Sequence, residues 1–215
     1  MKLNKVLALA LSGVMAVSML AGCSNNSGNG GQNGEGEGET TVTGFAATVA
    51  SKLDDNKDNV TVTSNDVIDA ALKAAMVKPD DNFITSNRAV SALTDVGTTG
   101  PVYVSLKDAL TDITFSTRAS FDHASSDSAK EDANVAVVYY IGGDINSDRV
   151  AQLVAEKIDD IDLPERSNVN NNDGTYYTYD YTVDVSCATA TTKDGTASLN
   201  YIVVVLNQDV TKASI

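Results

Sequence analysis

Asp54, Asn56 and Asp58 stand at alternate positions in the run Asp54-Asp55-Asn56-Lys57-Asp58-Asn59. Side-chain oxygens at that spacing can line the inside of a tight loop, where a hard cation such as calcium collects several oxygen ligands. Asp66, a little further on, offers one more carboxylate. A second acidic run, Asp159-Asp160-Ile161-Asp162 with Glu165, falls at the end of an expected helix. The helix dipole opposes negative charge there, so the run calls for solvent or a cation. Nucleophilic chemistry has fewer candidates. The single histidine, His123, has Ser120 and Asp122 as neighbours in sequence. A triad is assembled in space, however, and no Gly-x-Ser-x-Gly turn presents a serine. Zinc ligation would need histidines or cysteines that the chain lacks. Paired carboxylates of the glycosidase kind stay open, because an acidic chain offers many pairs. No catalytic residue is assigned.

The first three positions of the Asp54 loop resemble a calcium loop of EF-hand or dockerin type. The resemblance stops there: Asn59 stands where the loop needs glycine, and Asn65 where it needs a bidentate glutamate. Closure by Asp66 would alter the geometry. An acidic, solvated turn is the preferred reading, with calcium as the sharper alternative and no cofactor otherwise expected.

The N-terminus carries a more specific pattern. Lys2 and Lys5 precede an apolar run from Val6 to Leu20, too short for a comfortable membrane span. It ends in Leu20-Ala21-Gly22-Cys23. This resembles the lipobox of bacterial lipoproteins. The resemblance implies diacylglyceryl transfer to Cys23, cleavage before it, and a lipid anchor in the cell membrane, facing outside the cytoplasm. It covers only the signal. From Cys23 to Glu39 the residues are Ser, Asn, Gly, Gln and Glu; nothing there has a side chain worth burying, and a coil of that composition reaches about 20–25 Å. Residues 1–22 are thus expected as a lipoprotein signal peptide, 23–40 as a flexible tether and 41–215 as a single domain, with a possible sub-boundary near 122–134.

The formal charge of −14 becomes −16 without the two signal lysines. The tether's Glu35, Glu37 and Glu39 leave −13 on the domain. Such an excess disfavours nucleic acid, which needs clustered Lys and Arg, and serves solubility. With Cys23 assigned to lipid, Cys187 is expected as a lone thiol without an internal disulfide. In Tyr177-Thr178-Tyr179-Asp180-Tyr181-Thr182-Val183-Asp184-Val185-Ser186-Cys187 it shares parity with the Tyr and Val side chains, which predicts a buried small residue. Tyr177, Tyr179 and Tyr181 share that face and read as core before binding platform.

These residues must be positioned by recognisable elements. A short helical pattern runs over Phe45, Val49 and Leu53. A clearer helix opens near Ser64 and carries Val67, Ile68, Ala71, Leu72, Ala75 and Met76 as its stripe, ending at Lys78-Pro79. Ser86 is expected to cap a third helix over 87–94, and Ser105 a fourth. Ile113, Phe115 and Thr117 alternate as in a strand. Val135–Ile141 is apolar throughout and bounded by Gly142-Gly143, which predicts a strand buried on both faces. Ser147 is expected to cap a helix with Val150, Leu153, Val154, Ile158 and Ile161 inward. Two long strands, about 176–190 and 197–207, flank Thr192-Lys193-Asp194-Gly195, a hairpin signal. The expected fold class is α+β: N-terminal helices packed on one face of a mainly antiparallel sheet, β-α-β-β in the second half, ending in a long hairpin.

The functional expectation is a membrane-anchored extracytoplasmic lipoprotein, non-enzymatic, binding an unknown protein or polymer ligand or building the envelope. The alternative is a carboxylate-dependent hydrolase, possibly calcium-assisted, acting on envelope or extracellular polymers.

Overall fold

The computed structural model describes residues 44–54, 60–116, 129, 131–168 and 174–214. In chain order the elements are α1 (Gly44–Ala50), β1 (Val60–Thr63), α2 (Asp66–Ala75), α3 (Asp81–Asn87), β2 (Thr94–Asp95), α4 (Pro101–Ala109), β3 (Thr114–Phe115), β4 (Ala133–Gly142), α5 (Ser147–Asp159), β5 (Thr175–Thr191) and β6 (Ser198–Ser214). The fold is α+β. Its sheet has the order β1-β5-β6-β4-β2, with β3 also on β4. The long pairs β5–β6 and β4–β6 are antiparallel. The short β1 and β3 join in parallel.

β6 lies at the centre, and Leu199 to Leu206 are buried without interruption. Alternation sends its residues to two cores. Ile202, Val204 and Leu206 join Val137, Tyr139, Ile141, Val183 and Val185 under α1 and α5. Tyr201, Val203 and Val205 join Ala136, Val138 and Ala188 under α2, α3 and α4. The sheet is therefore covered on both faces, which corrects the expectation of helices on one face. Fully burying each such Val, Leu or Ile contributes about 1.5–3 kcal/mol before chain entropy is subtracted.

The helix starts differ from expectation in a consistent way. Asn65, not Ser64, caps α2, its Oδ1 accepting from the Val67 and Ile68 N–H groups. Asn146, not Ser147, caps α5 by accepting from Asp148 N–H. Asp80 caps α3 through Phe83 N–H at 2.7 Å, so Ser86 lies inside that helix and residues 88–93 are not helical. Thr94 and Asp95 pair instead with Tyr140 and Tyr139. Pro101 opens α4 after Gly100, the position where a missing N–H costs nothing, so Ser105 is interior. Val67, expected inward, is 61 % exposed.

The hairpin forms where Asp-Gly predicts it, but its loop spans residues 192–197. Gly195 takes φ +72°, and its N–H donates to the Thr192 carbonyl at 2.9 Å. The Asp194 carboxylate accepts from the Thr192 hydroxyl, the Thr196 N–H and the Thr196 hydroxyl. Those bonds, the one from Thr192 foremost, hold its pKa below the ordinary carboxylate value. β6 runs on to Ser214, past the expected end at Asn207, because β5 pairs with it down to Thr175. At the other end of β4 the chain passes very close to its neighbours. Gly142 N–H donates to the Val90 carbonyl at 2.8 Å and Gly143 N–H to the Ser198 carbonyl at 2.9 Å.

Candidate functional site

The two acidic runs singled out from the sequence partly converge. α1 packs beside α5, and the Asp54 N–H, just past α1, donates to both oxygens of Asp159 at 3.3 and 3.4 Å. Asp160 pairs with Lys157 at 3.7 Å. The negative charge at the end of α5 is thus met by a backbone donor and an ammonium. Asn56 and Asp58 lie outside the described residues, as do Ser120, Asp122 and His123. Asp66 opens α2, whose apolar side packs on the opposite face of the sheet from α1 and α5. Asp54 and Asp66 therefore do not share a loop. Among the described residues no three acidic, His or Cys side chains are grouped as metal ligands.

Tyr179 and Tyr181 are core residues, each 2 % exposed, and Tyr177 packs against the same cluster. The Tyr181 hydroxyl donates to the Pro164 carbonyl at 2.9 Å and accepts from Gln208 Nε2 at 3.1 Å. Burial pushes its pKa up to about 12. Cys187 packs beside Val183 and Val185 on this face, as its parity predicts. It is disulfide-bonded, which corrects the lone-thiol expectation. That expectation had committed the other cysteine of the chain, Cys23, to a lipid thioether.

A polar network missed in the sequence lies on the other face of β5. Thr63 on β1 donates its hydroxyl to Asp184 Oδ1 at 2.6 Å, and Asn207 Nδ2 on β6 donates to Asp184 Oδ2 at 3.1 Å. One residue pair along, the Ser186 hydroxyl donates to Asp69 of α2. Thr182, Asp184 and Ser186 were legible as the polar parity of β5. Their partners were not, since each lies on a different element. Both Asp184 oxygens accept from neighbours, so the network clasps the four-residue β1 and the first turn of α2 to the sheet.

The remaining distinctive feature is a surface. The exposed large apolar side chains among the described residues are Val67, Val77, Phe83 and Val104. All belong to the α2–α4 layer or the turn after α2. α1, the first described element, lies on the other face of the sheet. With fold and surface in view, no family model, no curated protein and no solved structure matches the chain.

Proposed function

We propose that this chain is an extracytoplasmic lipoprotein held to the cell membrane through Cys23, with a domain that binds a partner or builds the envelope without catalysis. The single observation that carries the reading is the order of signals ahead of Gly44: two lysines, an apolar run, Leu20-Ala21-Gly22-Cys23, then a spacer of Ser, Asn, Gly, Gln and Glu. The α2–α4 layer supports a contact role, because its apolar side chains lie across the sheet from the element that follows the tether.

Cys23→Ser removes the acyl acceptor, so the variant should stay uncleaved or leave the membrane fraction under a high-salt wash that retains the wild type. A diacylglyceryl thioether and a disulfide compete for the same sulfur, so the mass of the Cys23 peptide before and after reduction separates them. Recovery of that peptide only as a reducible adduct of the Cys187 peptide would end the anchoring proposal. So would a Cys23→Ser variant that partitions like the wild type.

The domain is also proposed to act without calcium. Ligand a hundredfold above its dissociation constant stabilises by about 2.7 kcal/mol, which a thermal melt detects readily. Calcium at about 1 mM should leave the melting temperature unchanged. A calcium-specific rise that Asp54→Ala with Asp58→Ala abolishes would favour the calcium-assisted hydrolase instead.

A further inference from the structure

Tyr140 and Tyr201 stand directly opposite each other on β4 and β6, their ring centroids 6.2 Å apart. Both face the side of the sheet on which α3 packs. Phe83 of α3 meets Tyr140 edge to face at 5.5 Å, and the Tyr140 hydroxyl donates to Asn87 Oδ1, one turn further along, at 3.2 Å. Asp80, bound through Oδ1 to the Phe83 N–H, is exposed, and the ion pairs among the described residues do not use it. A buried tyrosine normally finds a partner for its hydroxyl. Tyr103, Tyr140, Tyr179 and Tyr181 each donate to a protein oxygen. Tyr201, at 1 % exposure, bonds to none. The sealed side-chain atoms without a partner are Asn200 Nδ2 and Gln208 Oε1, so the Tyr201 oxygen keeps an opening to solvent. Burial raises its pKa, and Tyr140 and then Asp80 add to the shift, which puts both within electrostatic reach of the hydroxyl.

We infer that this cluster binds a primary ammonium on an alkyl stem, seated between the Tyr140 and Tyr201 hydroxyls and the Asp80 carboxylate. Donor and acceptor accounting selects the ligand. Tyr140 has committed its proton to Asn87, so toward a further partner its oxygen only accepts. Asp80 only accepts, and the Tyr201 hydroxyl rotates to offer its lone pairs. Three acceptors, one of them charged, match a group with three N–H donors and no acceptor. A guanidinium spreads its donors in a planar fork suited to one carboxylate rather than to three separate oxygens. An anion would meet Asp80. Phe83, 37 % exposed, offers an apolar wall to the stem and its ring to the charge. The formal charge of −14 draws cations to the surface in general, and this cluster gives one of them directional contacts. The site belongs to the folded domain, however the chain is anchored.

Titration of n-butylammonium into the full chain, followed by NMR of carbon-13-labelled tyrosine rings, tests the site. Saturable shifts confined to Tyr140 and Tyr201 are expected, with a dissociation constant of about 1–10 mM. Butanol, which has the stem without the charge, and tetramethylammonium, which has the charge without N–H, should bind at least about tenfold more weakly. Asp80→Asn keeps a side chain that caps α3 well and should weaken binding at least about tenfold. Tyr201→Phe keeps the ring and should weaken it about three- to tenfold. Both variants should melt near the wild type at neutral pH, which separates lost contacts from lost fold. Acetyl-lysine methylamide in place of butylammonium distinguishes the sources: equal binding assigns the site to a lysine side chain of a partner, weaker binding to free amines. No saturable shift up to about 50 mM, butanol acting as strongly as the amine, or Asp80→Asn binding like the wild type would overturn the assignment.

Discussion

Gly143→Ala should unfold about 10 °C below the wild type, in a thermal melt followed by circular dichroism, and Gly142→Ala should fall nearly as far. A Cβ on Gly143 would collide with the Ser198 hydroxyl and lie 2.7 Å from its Cβ and 2.8 Å from its carbonyl carbon. A Cβ on Gly142 would collide with the Arg88 carbonyl oxygen and lie 3.0 Å from that of Val90. These neighbours are largely backbone. The Val90 and Ser198 carbonyls are held by the hydrogen bonds the two glycines donate, and backbone cannot swing aside as a long side chain would. Overpacking of this kind costs about 3 kcal/mol, at the upper end of its usual range. For a domain of this size each kcal/mol moves the midpoint by about 2–4 °C. Gly195→Ala is the informative contrast. Its Cβ would meet open space, and only the positive φ is penalised, at about 1–2 kcal/mol. If Gly143→Ala melted no lower than Gly195→Ala, the close passage of β4 against Ser198 would be wrong.

Raising the pH should unfold the domain cooperatively above about pH 10, with tyrosine ionisation and loss of secondary structure rising together. Tyr181 is pushed up to about 12, chiefly by burial. Burial also raises Tyr201, with the nearby Tyr140 and Asp80 adding to it, and raises Tyr103. A folded-state pKa above the unfolded value of 10.0 means that the folded state holds its proton longer. The stability this represents is fully present below pH 10 and is lost as the pH rises through the folded pKa. Tyr201→Phe removes one such proton without removing a known hydrogen bond. It should shift the alkaline midpoint upward and leave the neutral-pH melt nearly unchanged. Ultraviolet absorbance of phenolate, recorded beside far-ultraviolet dichroism, makes the comparison. Tyrosines that ionise fully while the dichroism stays native would remove the two-core packing of β5 and β6.

Much of this architecture was written locally. The alternation from Tyr177 to Cys187 and the Asp194-Gly195 pair foretold β5, β6 and their turn, and period-3.6 stripes foretold α2 and α5. Errors arose where a local signal had a stronger neighbour. Ser86 and Ser105 are plausible caps, but Asp80 after Pro79 and Pro101 after Gly100 begin the helices first. β2 and β3 have two residues each, and their existence depends on β4 as a template rather than on their own composition. The two-sided covering of the sheet was available in principle. A strand apolar throughout, as Val135–Ile141 is, already requires helices on both faces. The Thr63–Asp184–Asn207 clasp joins positions far apart in the chain, and no spacing rule could have linked them. The α2 stripe was misread for a simpler reason: Val67 continues the inward pattern of Ile68 by type, while the helix phase turns it outward.

The place of β6 at the centre of the sheet sets an order of assembly. β4 and β5 pair with β6 and not with each other, so β1–β5 on one flank and β4 with β2 and β3 on the other remain unjoined until β6 arrives. A chain synthesised N-terminus first thus has both flanks incomplete until β6 is made. The sheet closes only when β6, the last of the described strands in chain order, slides between them. Until then Val183, Val185, Val137 and Tyr139 lack Ile202, Val204 and Leu206 of β6, the side chains that join the two flanks into one core.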